Sequence, residues 1–280
     1  MKIVAVMLAR NEAWVLRASL DAALRWCDHV VVLNHASTDA TRAIAATAAN
    51  ATKRVTVGDW TDGEHWLEMD ARESSLRVAR ELGATHIAIT DADEILTHNN
   101  VVDVRGWFER LKPGECLDLP MIAPWKSLDQ YTTGIGSQIT LGFMDKPDLA
   151  WRPRGDEKYH YHQRSPQGSG QHVIVNPPHG GVMHLQFANW RRFIAKHRHY
   201  MASERVRWPM YRPEDINQKY SWWTRLTHEL RAVHPSWWGD YKRADIALDG
   251  ESWYEPALAE ITAKHGDKFA GLDFTFGGQA

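Results

Sequence analysis

Through its first 111 residues the chain alternates apolar runs of strand length with longer stretches of helical periodicity, a pattern that few folds accept. Lys2–Ala9 (KIVAVMLA) and His29–Asn34 (HVVVLN) are continuous apolar runs of the kind buried strands carry. Arg54–Gly58 and Thr85–Thr90 (THIAIT) read as two more strands. Between them, residues 12–26 place Ala13, Leu16, Leu20, Ala23 and Leu24 at helical spacing, and residues 66–82 do the same with Leu67, Ala71, Leu76, Ala79 and Leu82. Ser37-Thr38-Asp39 offers caps for a helix to about Asn50, and residues 101–111 look helical up to Pro113-Gly114. Strands alternating with helices form a parallel sheet with right-handed crossovers, because each helix must pack back onto the sheet.

Such sheets bind ligands beyond the carboxyl ends of their strands, where the strand order reverses. The segments that fall there are Ala9-Arg10-Asn11-Glu12, Asn34–Thr41, Asp59–Asp62 and Thr90-Asp91-Ala92-Asp93-Glu94, all polar. Two carboxylates flanking a small residue can hold Mg²⁺ or Mn²⁺, leaving other positions for water and substrate phosphate. A helix-capping cluster or a solvated acidic turn has the same composition. Ala9–Glu12 reads either as a nucleoside contact or as a helix start with Asn11 as cap, and Asn34–Thr41 is similarly open.

Together these segments resemble the family 2 glycosyltransferases of the GT-A fold. Members end their first strand in a segment containing Asn-Glu, as Asn11-Glu12 does here. Their second strand ends in Asp-Asp-Gly-Ser-Thr-Asp-x-Thr, comparable with Asn34–Thr41, and their fourth in Asp-x-Asp-Glu, matched by Asp91–Glu94. The likeness covers residues 1–100 and thins past 120. It implies an α/β fold, a Rossmann-like and mostly parallel sheet flanked by helices with an irregular and helical C-terminal acceptor part. Residues 1–120 would be the nucleotide-sugar and metal-binding half, and 121–280 the acceptor half, packed as one unit. It also implies a nucleotide-sugar donor, with UDP the leading base. Asn34 and His35 stand where members carry two acids, one of which often accepts a hydrogen bond from uracil. By the resemblance Ala9, Arg10, Asn11, Glu12, His35, Ser37, Asp39, Arg72, Thr90, Asp91 and Ala92 would contact the nucleotide sugar. Asp91, Asp93 and His184 would hold Mn²⁺ or Mg²⁺. His184 is implied by a His-x-x-aromatic-x-x-Trp run, here His184, Phe187 and Trp190, leading to Lys196 and Tyr200.

The second half has another character. Residues 120–180 suggest irregular loops and short antiparallel strands such as Gln138–Phe143 and Gln171–Val175. Residues 187–207 form an amphipathic helix with Trp190, Phe193, Ile194, His197 and Met201 on one face. More helix is expected around 213–231 and 255–265. Trp151–His162 (WRPRGDEKYHYH) is dense in titratable groups. An inverting transfer needs a carboxylate to take the acceptor hydroxyl proton, and Asp156 and Glu157 are the candidates, with Asp129 and Asp145 as rivals. His160 and His162 have the spacing of a metal pair or of alternate strand residues.

Charge is unevenly spread. Residues 1–150 hold 15 basic and 21 acidic side chains, whereas 151–243 hold 16 and 7. The basic stretch, with Trp222-Trp223 and Trp237-Trp238, could grip an anionic acceptor such as DNA or a lipid-linked glycan, or be a solvated face packed by its aromatics. Two cysteines exclude a disulfide framework, no apolar run reaches bilayer length, and the start lacks a signal-peptide pattern, so a cytoplasmic protein is expected. A metal-dependent, sugar-transferring enzyme is the leading reading. The acceptor would be a glycan, a lipid-linked glycan or a hydroxylated nucleobase in DNA. A non-catalytic nucleic-acid- or glycan-binding protein on the same scaffold is the alternative.

Overall fold

The structure, a computed structural model, describes residues 1–61, 68–135, 137–152, 164–226, 229–250 and 252–278. The expected alternation is present as β1 (Ile3–Ala9), α1 (Leu16–Ala23), β2 (His29–His35), α2 (Thr41–Thr52), β3 (Val55–Trp60), α3 (Glu68–Glu81) and β4 (His86–Ile89). Next come β5 (Glu94–Leu96), α4 (Val101–Glu109), β6 (Cys116–Pro124), β7 (Gln130–Thr132), β8 (Gln138–Met144), β9 (His172–Ile174) and β10 (Val182–His184). The chain closes with α5 (Trp190–Arg207), α6 (Pro213–Tyr220), β11 (Leu230–Ala232), a short α7 (Pro235–Trp238) and α8 (Tyr254–His265).

The sheet runs β11-β7-β6-β8-β4-β1-β2-β3. From β4 to β3 it is parallel, with Val6 opposite both Val31 and Ile89. The central strand β1 is buried along its whole length, which is why it reads as one apolar run rather than an alternation. Helices cover both faces, and the core beneath them joins Met7, Leu20, Trp26, Val32 and Phe108 on one side and Val6, Leu76, Ile87 and Phe143 on the other. Strand order reverses between β1 and β4, so the ends Arg10–Glu12 and Asp91–Asp93 flank the switch point.

Three expectations need correction. Of the two short strands expected to be antiparallel, β8 is so, joining β4 to β6, but β9 runs parallel to β6. Strand β6 was hidden by Pro120 and Pro124, residues that argue against a central strand. Pro120 sits near the edge of the β8 pairing, where the register has already slipped between Leu117 and Asp118. The helix expected over 213–231 stops at Tyr220, after which the chain turns through Trp222–Arg225 into edge strand β11. Helix α1 starts later than its periodicity suggests, at Leu16, behind a turn at Ala13–Val15.

The amphipathic helix is present as α5, with Phe193, Ile194, His197 and Met201 buried as predicted. Its basic residues are largely tied down within the fold. Arg192 bonds Glu12, Arg191 grips Glu255, Arg198 donates to the Phe274 carbonyl and Arg205 to that of Lys268. No described helix is long and apolar enough to cross a membrane.

Two measurements test this packing. A Cβ at Gly142 would lie 2.3 Å from the Ile87 carbonyl oxygen and 2.8 Å from the Phe108 ring. Gly142→Ala should therefore destabilise by about 1–3 kcal/mol in urea unfolding, as overpacking does. Burial also holds two α5 histidines neutral, His197 down to about 3 and His199 down to about 4. Below the ordinary histidine value of 6.5 the unfolded chain takes up protons that these buried rings refuse, so stability falls with pH. Unfolding free energy should decline between about pH 6.5 and 4.5, by up to about 1.4 kcal/mol per pH unit for each histidine, and less steeply in His199→Phe.

Candidate functional site

The turn after β1 is shaped by Asn11. Its φ of 55° is left-handed, a conformation Asn tolerates better than most residues. Its Oδ1 accepts from the Thr38 N–H at 2.7 Å and the Asp39 N–H at 3.3 Å, while its own N–H donates to Ser37 Oγ. Asp39 accepts from the backbone of Ala13 and Thr41. Asn11, Ser37 and Asp39 thus join the ends of β1 and β2 to each other. His35 is buried beside Arg10, and Thr90 is buried at the end of β4.

A cavity of about 580 Å³ lies beyond these ends. Arg10, Glu12, Arg72, Asp91, Ala92, Asp93 and His184 line it, whereas Ala9, Asn11, His35, Ser37, Asp39 and Thr90 do not. Its far side is built by α5 and the segments after it: Phe193, Lys196, His197, Tyr200, Tyr220, Trp222, Trp253 and Tyr254. Asp129 and Asp145 do not reach it; Asp145 is clasped by Arg80 and Asp129 by Arg243. His179, five residues before His184, packs against His234. Asp156, Glu157, His160 and His162 lie outside the described residues.

The acidic strand end is held by two guanidiniums. Arg72, 2% exposed on α3, donates to Glu68 at 2.8 Å and to Asp91 Oδ1 at 3.2 Å. Arg164 donates to Asp91 Oδ2 at 3.0 Å and to both Glu94 oxygens at 2.9 Å, and also to the carbonyls of Ile89 and Thr140. Burial raises the Glu94 carboxyl, with Arg164 pulling against it. Arg72 was singled out beforehand only through the family resemblance. Arg164 was not, because the stretch around it drew attention for its acids and histidines.

Asp93 stands apart from this clamp. Its Oδ1 lies 3.5 Å from His184 Nε2, brought there by the pairing of β10 with β5. Burial works against ionisation of Asp93, yet the His184 ring and Lys196 outweigh it and hold the carboxyl at about 2. Burial likewise works against a charged His184, but Asp93 outweighs it and raises the imidazole. A carboxylate beside an imidazole is a mixed donor pair, in which the carboxylate suits Mn²⁺ or Mg²⁺ and the ring can ligate only in its neutral form. Among the described residues no group of three His, Cys, Asp or Glu side chains converges on one point. Among the described residues Asp93 and His184 form a carboxylate–imidazole pair on the cavity wall, while Asp91 faces Arg72 and Arg164. Around them stand Lys196, whose Nζ donates to Gln186 Oε1 at 3.0 Å, and Arg10, stacked 5.1 Å from the Trp253 ring.

No protein-family model matches the chain, and no curated protein matches it. Solved structures give a loose likeness in shape. S. aureus TarS 1–349 in complex with UDP shares 16% identity over 43% of this chain and 35% of that one, with a TM-score of 0.35. In complex with UDP-GlcNAc, the same protein aligns over 98% of this chain and 82% of its own, at 12% identity and a TM-score of 0.44. Glucosyl-3-phosphoglycerate synthase from Mycobacterium tuberculosis, in complex with Mn²⁺, UDP and phosphoglyceric acid, shares 18% identity over 44% of this chain and 43% of its own, with a TM-score of 0.33. The first and third alignments span less than half of the neighbour's length.

The clamp carries a stability test. Arg164→Met leaves Glu94, whose side chain is 1% exposed, without its cation. Breaking such a pair costs about 3–5 kcal/mol, so urea unfolding at neutral pH should show a loss of that order.

Proposed function

We propose that the chain is a glycosyltransferase of the GT-A type that moves a sugar from a nucleotide diphosphate donor, UDP-linked, to an acceptor hydroxyl. The observation that carries this reading is the convergence of Asp93 and His184, 3.5 Å apart, at the switch point of a parallel sheet. Ligands of open α/β sheets bind at that point, and a diphosphate bound through a divalent cation needs such donors. Residues 1–120 would form the donor half and 121–280 the acceptor half.

In this reading Asp93 and His184 hold the Mn²⁺ or Mg²⁺, which supplies charge neutralisation for the departing diphosphate. Arg10 from the end of β1 and Lys196 from α5 present positive charge to the same cavity. Their benefit is greatest as the leaving group gains charge, because the surroundings are poor in water. Arg72 and Arg164 fix Asp91, so that its carboxylate is preset rather than mobile when the donor arrives. Ala92 and Arg10 border the space for the nucleoside. Asp156 and Glu157 remain the candidates for taking the acceptor proton in an inverting transfer.

The test uses binding as well as turnover. Saturating UDP with Mn²⁺, at about a hundred times its dissociation constant, adds about 2.7 kcal/mol of stability. Thermal unfolding of the unmodified chain should show that gain. Asp93→Ala should lose the Mn²⁺-dependent part of it together with UDP release from UDP-sugars. Retention of both by Asp93→Ala would overturn the site assignment.

A further inference from the structure

The far end of the cavity offers a different chemistry from the strand ends. His197 Nδ1 lies 2.9 Å from the Phe193 carbonyl oxygen, which can only accept, so the ring hydrogen sits on Nδ1. Nε2 is then a bare lone pair. His197 lines the cavity, and no described residue donates to that nitrogen. A lone pair in this position calls for a hydroxyl or amine hydrogen and repels the oxygens of a phosphate or carboxylate. Burial keeps the ring in this neutral form.

Around it stand Tyr220 and Trp222, with Lys219 at the same end. The charge of Lys219 is matched by Glu204 at 2.7 Å, and Glu204 also accepts from the Tyr220 hydroxyl at 2.5 Å. This end thus combines aromatic rings, one fixed acceptor and a balanced ion pair. Pockets that combine apolar walls with a few placed polar groups select by shape and hydrogen bonding rather than by charge. Several basic residues of 151–243 also have acidic partners at the protein surface. Besides the α5 arginines, Arg212 pairs with Asp215, Arg231 with Glu229 and Arg243 with Asp129.

We infer that this end of the cavity is the acceptor subsite and that it takes an uncharged sugar ring, with His197 Nε2 accepting from a ring hydroxyl and Trp222 and Tyr220 lying along the apolar C–H face. The inference rests on the glycosyltransferase reading for the word acceptor, but the subsite itself is independent of the donor. His197 is a positioning residue in it.

The experiment uses the full chain and saturation-transfer NMR with a panel of neutral methyl glycosides, alongside inorganic phosphate and a 20-base-pair duplex DNA. At least one neutral glycoside should bind with little dependence on salt. Its affinity should fall about tenfold in His197→Phe, the loss expected for one hydrogen bond to a buried acceptor. It should return in His197→Gln, whose side-chain oxygen can reach the position of Nε2. In turnover with a UDP-sugar, KM for that glycoside should rise in His197→Phe with kcat little changed. Three outcomes would overturn the inference: no neutral glycoside bound, equal affinity in His197→Phe, or DNA or phosphate bound in its place with the steep salt dependence of phosphate neutralisation. If glycosides bind as described while UDP with Mn²⁺ does not, the subsite stands and the glycosyltransferase reading falls.

Discussion

The site depends on how two buried guanidiniums neutralise one acidic strand end. Asp91 and Glu94 sit where a parallel strand stops, with Glu94 almost wholly removed from water. Leaving such carboxylates uncompensated costs several kcal/mol each. Arg72 comes from the helix before the strand, and Arg164 arrives from far along the chain. Their hydrogen bonds fix Asp91 through both oxygens and tie Glu94 to the same cation. That leaves Asp93 as the carboxylate of this segment that turns to His184. The clamp therefore sets two of three neighbouring acids against arginines and leaves the third against an imidazole.

The same economy governs the basic half. Read as a string, residues 151–243 look like a surface for a polyanion. Folded, Arg192 crosses to Glu12, Arg191 to Glu255 and Arg243 to Asp129. The acids that answer this basic stretch come partly from the acidic first half. The opposed charges of the two halves are thus a means of joining them. Net charge by segment says how the halves attract one another before it says anything about a ligand.

This explains what was legible in the sequence. The parallel core was legible because buried strands such as Ile3–Ala9 must be continuously apolar, and periodicity is local. Asp93 and the strand-end placement of Arg10 and Glu12 followed from topology, which local pattern also sets. His184 was found only through a family resemblance, since its approach to Asp93 depends on β10 pairing with β5 about ninety residues earlier. Strand β6 was masked by its prolines, and Arg164 by its neighbours. Asn11, Ser37 and Asp39 were expected to contact the nucleotide sugar, and their side chains hydrogen-bond one another and nearby backbone. Polar loops at strand ends carry both kinds of residue, and composition alone does not separate them.

The reach of Arg164 has a consequence for how the chain assembles. The parallel strands β1 to β4 are close in sequence and can pair early, since local contacts close short loops. Their acidic end, however, stays undercompensated until a residue more than seventy positions later is in place. The first hundred residues therefore form a sheet that is complete in hydrogen bonding at its centre but electrostatically unfinished at its rim. The parallel half is not a separable module, because its acidic rim is closed by Arg164 from the later half of the chain.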